Sequence, residues 1–158
     1  MVAILLSTAS CSIRPDDIRL EGVRAVESGG VTLSQARVNV VLGMINESRV
    51  KVTLRDVLIT VSDARGDIMD ITLDEPVVLP KRRSTDVSIP LIARFKGGFG
   101  SLTGMARLSG NPNQIRLSGS ARLKGSGINK TYRFDYITLR EFLNLVGVDR
   151  WEDLMNSF

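Results

Sequence analysis

Apolar and polar residues alternate with a period of two along much of this chain. In "VTLSQARVNVVLGMIN", Ala36, Val38, Val40, Leu42 and Met44 fall on one face, and Gln35, Arg37 and Asn39 on the other. That spacing predicts a half-buried strand. "RVKVTLRDVLITVSD" keeps the period but shifts its phase. Val50, Val52 and Leu54 are followed by Val57, Ile59 and Val61, as a β-bulge near Arg55–Asp56 would require. "ARGD" predicts a hairpin turn into "DIMDITL", whose Met69, Ile71 and Leu73 share a face.

After "LPKRRST", Val87, Ile89, Leu91 and Ala93 alternate again. Pro90 has no N–H to give to a ladder, so an edge or bulged position is expected there. Ile115, Leu117, Ala121 and Leu123 predict a strand, and so do Tyr132, Phe134 and Tyr136, with "KGSGINK" as the connecting hairpin loop. Between these blocks, Phe99, Leu102, Met105 and Ala106 have helical spacing in a glycine-rich context. About seven short strands with turn signals predict a mainly β fold, an antiparallel immunoglobulin-like β-sandwich with short C-terminal helices.

The C-terminal pattern changes period. Thr138 and Glu141 form a capping box, with Ile137 and Phe142 as its hydrophobic staple. Leu139, Phe142, Leu143 and Val146 line one helical face, and Gly147 supplies a stop. Asp149 and Glu152 repeat the start signal before Trp151, Leu154, Met155 and Phe158. The resulting organisation is a signal-like segment at 1–10, a tether at 11–17, a sandwich at 18–136 and a helical segment at 137–158.

Charge adds a second layer. The net charge is +4. Residues 1–80 carry eight basic and eleven acidic side chains, whereas residues 81–134 carry eleven basic side chains and one acid, Asp86. Along the strand that holds Leu117, the polar face carries Arg116, Ser118, Ser120, Arg122 and Lys124. The next strand offers Lys130, Thr131, Arg133 and Asp135, and hairpin pairing is expected to gather the two sets into one basic face. The candidate anionic-surface residues are Arg116, Arg122, Lys124 and Arg133, facing anionic lipid or glycan. Nucleic acid is not expected as a partner, because aromatics for base stacking are not evident beside these charges. A protein partner is not specified by any motif.

The opening "MVAILLSTASC" holds the single cysteine, Cys11. An apolar stretch, small residues and then cysteine resemble a bacterial lipoprotein signal. Its lipobox would be Thr8-Ala9-Ser10-Cys11, with Thr8 in place of the usual leucine. The resemblance implies lipidation at Cys11, an acyl anchor in a membrane and a place in the cell envelope, on the periplasmic side of the outer membrane. No basic residue precedes Cys11, so the true start is expected upstream of Met1. The competing reading is a short buried strand with an inert cysteine.

Residues 31–134 also resemble the late embryogenesis abundant type-2 domain, the water-stress and hypersensitive-response domain. "VNVVLGMINES" ends in Asn46-Glu47-Ser48 where that family has an Asn-Pro-Asn-like turn. "EPVVLPKRRSTDVSIPL" places Pro76 and Pro80 before Ser84, Thr85 and Val87. The resemblance implies an immunoglobulin-like sandwich plus a helix, no enzymatic activity, and a role in stress protection or membrane attachment.

Candidate catalytic chemistry is thin. The chain has no histidine, the commonest general base near neutral pH. The carboxylate pairs Asp16–Asp17 and Asp74–Glu75 are sequence neighbours whose side chains point apart in extended backbone. "GGFGSLTG" lacks the Gly-Lys-Ser/Thr ending of a phosphate loop, and Gly97, Gly98, Gly100 and Gly104 are expected to serve a turn. No cysteine–histidine cluster is available for zinc, and no cofactor or metal is expected. The expected function is a non-enzymatic, lipid-anchored structural or binding module of the envelope. A soluble cytoplasmic stress-protection protein of the same fold stands second, and a small envelope hydrolase a distant third.

Overall fold

A computed structural model describes residues 17–97, 100–125 and 127–145. Among them, eight strands run in chain order: β1 (Ile18–Val31), β2 (Gln35–Asn46), β3 (Val52–Asp63), β4 (Gly66–Leu73), β5 (Val77–Leu79), β6 (Arg83–Phe95), β7 (Arg116–Gly125) and β8 (Ile128–Thr138). Helix α1 (Gly100–Gly110) and a 3-10 turn (Pro112–Gln114) separate β6 from β7, and α2 (Leu139–Leu145) follows β8. Every pairing is antiparallel, in the order β1-β2-β6-β4-β3-β7-β8, with β5 added to the start of β3. The fold is mainly β, as the alternation predicts.

The strands form one open sheet in which β4 bridges only part of the distance between β6 and β3. It pairs with β6 from Met69↔Phe95 to Leu73↔Leu91 and with β3 from Leu58↔Thr72 to Asp63↔Gly66. Beyond Leu73 the two halves separate and face one another, which makes a sandwich out of one continuous ladder. The first core fills that space: Val52, Val77, Leu79, Val87 and Ile89 are buried, with Leu42, Met44, Leu54, Leu91 and Leu123 packed against them. The second core lies at the bridged end, where Val61, Ile68, Ile115, Leu117 and Leu139 are buried beneath the helices.

Several local expectations are met. The β3–β7 register skips between Leu54 and Asp56, leaving Arg55 as the bulged residue. Asp63↔Gly66 closes the β3–β4 hairpin, with Gly66 at φ 125°, a value open to glycine and strained for other residues. Thr138 N–H donates to Glu141 Oε2 at 2.7 Å, and Glu141 N–H donates to Thr138 Oγ1 at 3.1 Å. This is the reciprocal capping box. Ile137 and Phe142 both pack against the second core, and Phe142 lies 6.1 Å from Phe134, ring to ring.

Pro90 lies in a central strand, yet its expected local edge exists. The Pro90 carbonyl accepts from Asp74 N–H at 2.9 Å, just past the last β4–β6 rung at Leu73↔Leu91. Nitrogen and carbonyl of one strand residue point the same way, so its missing N–H faces the gap that β4 leaves.

Two elements differ from the sequence pattern. Helix α1 forms, but Leu102 and Met105 are exposed at 71% and 50%. Its inward positions are Gly104, where a Cβ would collide with the Phe95 ring, and Leu108. Gly100 and Gly104 therefore serve this helix rather than a turn. Close approach to Phe95 replaces side-chain burial at that point. The second difference is β1, a 14-residue strand that carries no period-two signal. Phe99, Val146, Gly147 and the pattern from Asp149 to Phe158 lie outside the described residues.

Candidate functional site

Strand register decides where the four candidate cations stand. In β7–β8, Ser120 pairs with Arg133, Arg122 with Thr131 and Lys124 with Asn129. Cross-strand partners share a face, so Arg116, Arg122, Lys124 and Arg133 do occupy one side, opposite Leu117 and Leu123. Lys130 pairs with Leu123 and belongs to the other side. That corrects its expected place in the basic face, since residue 131 rather than 130 matches the outward phase.

The four are not equivalent. Arg122 Nη2 lies 2.8 Å from Asp56 Oδ2, its register partner on β3. Its Nε is buried without a protein hydrogen-bond partner among the described residues. Arg116 Nη1 donates to the carbonyls of Asn113 and Ile115 at 2.9 and 3.0 Å, tying the 3-10 turn to β7. Lys124 and Arg133 are exposed and in no ion pair among the described residues. Half of the expected face is thus engaged in holding structure. Cys11 lies outside the described residues.

Folding settles part of the charge imbalance of the sequence. Acids of β3 and β4 meet cations from the second half of the chain. Arg107 of α1 donates from Nε to Asp63 Oδ2 at 2.9 Å, from Nη2 to Asp63 Oδ1, and from Nη2 to the Gly66 carbonyl at 2.9 Å. Asp63 and Arg107 side chains are 7% and 14% exposed. The guanidinium of Arg107 is the main reason that the Asp63 carboxyl is held well below the usual carboxylate range, against an opposing push from burial. Arg65 N–H adds a hydrogen bond to Asp63 at 2.8 Å. Lys96 lies 3.2 Å from Asp67 and 3.3 Å from Asp70, which raise its pKa.

A different cluster of cations is left over, and it gathers at the far end of the sandwich. The register places Ile18, Asn46 and Arg83 on one level, and Val52, Leu79 and Gly125 at the same end. Two loops stand at that end beside the β7–β8 connection, residues 47–51 between β2 and β3 and residues 80–82 between β5 and β6. They present Arg49, Lys51, Lys81, Arg82 and the strand-start Arg83, all exposed. An open cleft of about 540 Å³ is lined by Arg49, Val50, Lys51, Pro80 and Lys81.

Buried polar contacts fix this arrangement. Asn46, 2% exposed, donates from Nδ2 to the carbonyls of Val50 and Leu79 at 3.1 and 3.3 Å. Its Oδ1 accepts from Ser48 N–H at 3.0 Å and from Ser48 Oγ at 2.6 Å. Arg82 N–H then donates to the Ser48 carbonyl at 3.2 Å. Arg82 sits at φ 50°, a strained value for a residue other than glycine. Sequence reading missed this cluster. Its available signals were the "KRR" run at 81–83 and the Asn46/Ser48 turn chemistry.

Among the described residues, no group of three or more His, Cys, Asp or Glu side chains is placed to hold a metal ion. No helix among them is long and apolar enough to cross a membrane. No family model matches the chain, and no curated protein matches it significantly. The solved structure of a protein from Archaeoglobus fulgidus is similar in shape, with a TM-score of 0.48 and 18% identity, covering 76% of this chain and 99% of that one.

Proposed function

We propose that this chain is a non-enzymatic, lipid-anchored protein of the bacterial cell envelope, a β-sandwich that binds anionic lipid or glycan beside the membrane. The observation that carries the reading is the entry of the chain into the fold. The Asp17 carbonyl accepts from Glu47 N–H at 2.7 Å, and β1 starts at the next residue. Six peptide steps separate Cys11 from Asp17, so an acyl group on Cys11 would hold that end of the sandwich within roughly 20 Å of the bilayer. The late embryogenesis abundant type-2 resemblance agrees with a non-catalytic module near a membrane.

The outer face of β7 and β8 supports the binding part of the proposal. Lys124 and Arg133 lie on it with Arg116 and Arg122, and surface cations attract anionic glycan standing beside the domain at close range. The test is metabolic labelling with palmitate of the protein expressed from its full start. Label should enter the wild type and remain in the membrane fraction. Cys11→Ser should remove both label and retention while the purified domain keeps its melting temperature. Equal labelling of the variant would end the lipoprotein reading.

A further inference from the structure

We infer that the loop end of the sandwich, built by Arg49, Lys51, Lys81, Arg82 and Arg83, is the surface that docks on an anionic phospholipid bilayer. This deepens the envelope reading by naming a surface and an orientation, and it rests on that reading for the occupant. The domain stands end-on, and the β7–β8 face is turned sideways, away from the bilayer plane.

Three observations converge on this end. The first is selective pairing. Elsewhere about half of the described cations meet acids, among them Arg107 with Asp63, Lys96 with Asp67 and Asp70, Arg122 with Asp56, Arg37 with Asp74, and Arg24 with Glu21 and Asp86. At the loop end, Glu47 pairs with Arg19, and none of the five loop cations is in an ion pair among the described residues. These side chains are exposed and remain available to an external anion.

The second is preorganisation. Arg49 and Lys51 lie about thirty residues from the "KRR" run, yet Asn46 binds both the Val50 and the Leu79 carbonyls, and Ser48 binds Arg82. The two loops are stitched into one platform. The left-handed backbone of Arg82 persists because that hydrogen bond and its neighbours enforce it. Cations held on a fixed platform lose little further freedom on binding a charged surface.

The third is polarity of the chain path. Asp17 enters at this same end, bonded to Glu47 of the 47–51 loop. A tether from Cys11 brings these five cations, and no other group of equal size, next to the membrane. Screening confines their pull to about 8 Å at physiological salt, so contact has to be close. A bilayer fits better than a small anion, because the cations are spread over two loops and an open cleft of about 540 Å³ rather than focused on one point.

The test uses the full chain carrying Cys11→Ser, so its outcome is independent of whether Cys11 is lipidated. Binding is measured by co-sedimentation with vesicles of phosphatidylcholine, with and without phosphatidylglycerol. Removing three cations in Lys81→Ser/Arg82→Asn/Arg83→Ser should lower partitioning roughly 100-fold, at about fivefold per charge. Arg49→Ser/Lys51→Ser provides a second variant on the other loop and should lose roughly 25-fold on the same scale. Arg133→Ser/Arg140→Ser, two exposed cations away from the loop end, should bind like the parent, and circular dichroism with melting verifies that all variants fold. Binding to pure phosphatidylcholine, loss in the Arg133/Arg140 variant alone, or complete competition by millimolar inorganic phosphate would each overturn the proposal. Loss of palmitate labelling with vesicle binding intact would refute the anchor and leave this surface standing.

Discussion

The two ends of the sandwich are both made of connections between antiparallel strands, yet they treat charge in opposite ways. At the helical end, Arg107 reaches from α1 to Asp63 and to the backbone of the β3–β4 turn, and both charges are mostly withdrawn from water. At the loop end, backbone carbonyls and the Asn46–Ser48 pair do the holding, and five cations project outward. The lesson is a division of labour. The Arg107–Asp63 pair is matched and mostly buried, and the five loop cations are exposed and in no ion pair among the described residues, open to an anion outside the chain.

The comparison breaks most severely if the helical end is not a real core. Leu117 is 3% exposed and Ile68 0%. Leu117→Asp should abolish the cooperative melt, because an unpaired buried carboxylate costs several kcal/mol out of a total near 5–15. A variant that melts like the parent would mean that the face assignment of β7 is wrong. Next in size is Arg107→Ala, which strands the Asp63 carboxylate and should cost about 3 kcal/mol, read from denaturant midpoints.

A pH series sharpens the same contrast. Arg107 holds the Asp63 carboxyl well below its usual range. A carboxyl depressed by folding stabilises the native state fully above its unfolded pKa of about 3.9, and that contribution fades as pH falls toward the folded value. Asp63→Asn should therefore be clearly less stable than the parent above about pH 5 and converge with it in acid. A constant gap across pH would show that the pair is held by packing rather than by charge.

Smaller effects follow at the helix termini and loops. Thr138→Ala removes half of the capping box and should cost about 1 kcal/mol. Lys81→Ser/Arg83→Ser should shift stability by no more than about 0.5 kcal/mol, the usual range for surface changes that touch no special feature. A larger loss there would place these cations in the fold's own support.

How much of this was legible in sequence varies by element for physical reasons. The Arg55 bulge and the Thr138 capping box are local signals, and both were readable. Strand β1 was hidden by its own bulges. Leu20, Val23 and Val26 pair with Met44, Leu42 and Val40 across two register shifts, so residues on one strand face recur every third position. That spacing imitates a helix. Strand β5 is three residues between prolines, too short to carry a period.

The candidate site was partly legible as well. Period two correctly placed Arg116, Arg122, Lys124 and Arg133 on one face, but the Asp56 partner of Arg122 lies on a strand 66 positions away in sequence. Helix α1 misled because glycine, read as a turn former, serves there as a contact surface for Phe95. The loop cluster needed Asn46 to join two distant segments, a fact that no local pattern contains.

Hydrogen–deuterium exchange tests the division of labour most directly. The full chain carrying Cys11→Ser would be compared with and without phosphatidylglycerol-containing vesicles. New protection should be confined to residues 47–51 and 80–83, with no change over 63–67 and 100–110. Protection appearing at the helical end, or along 128–138 with the loops unchanged, would contradict the account.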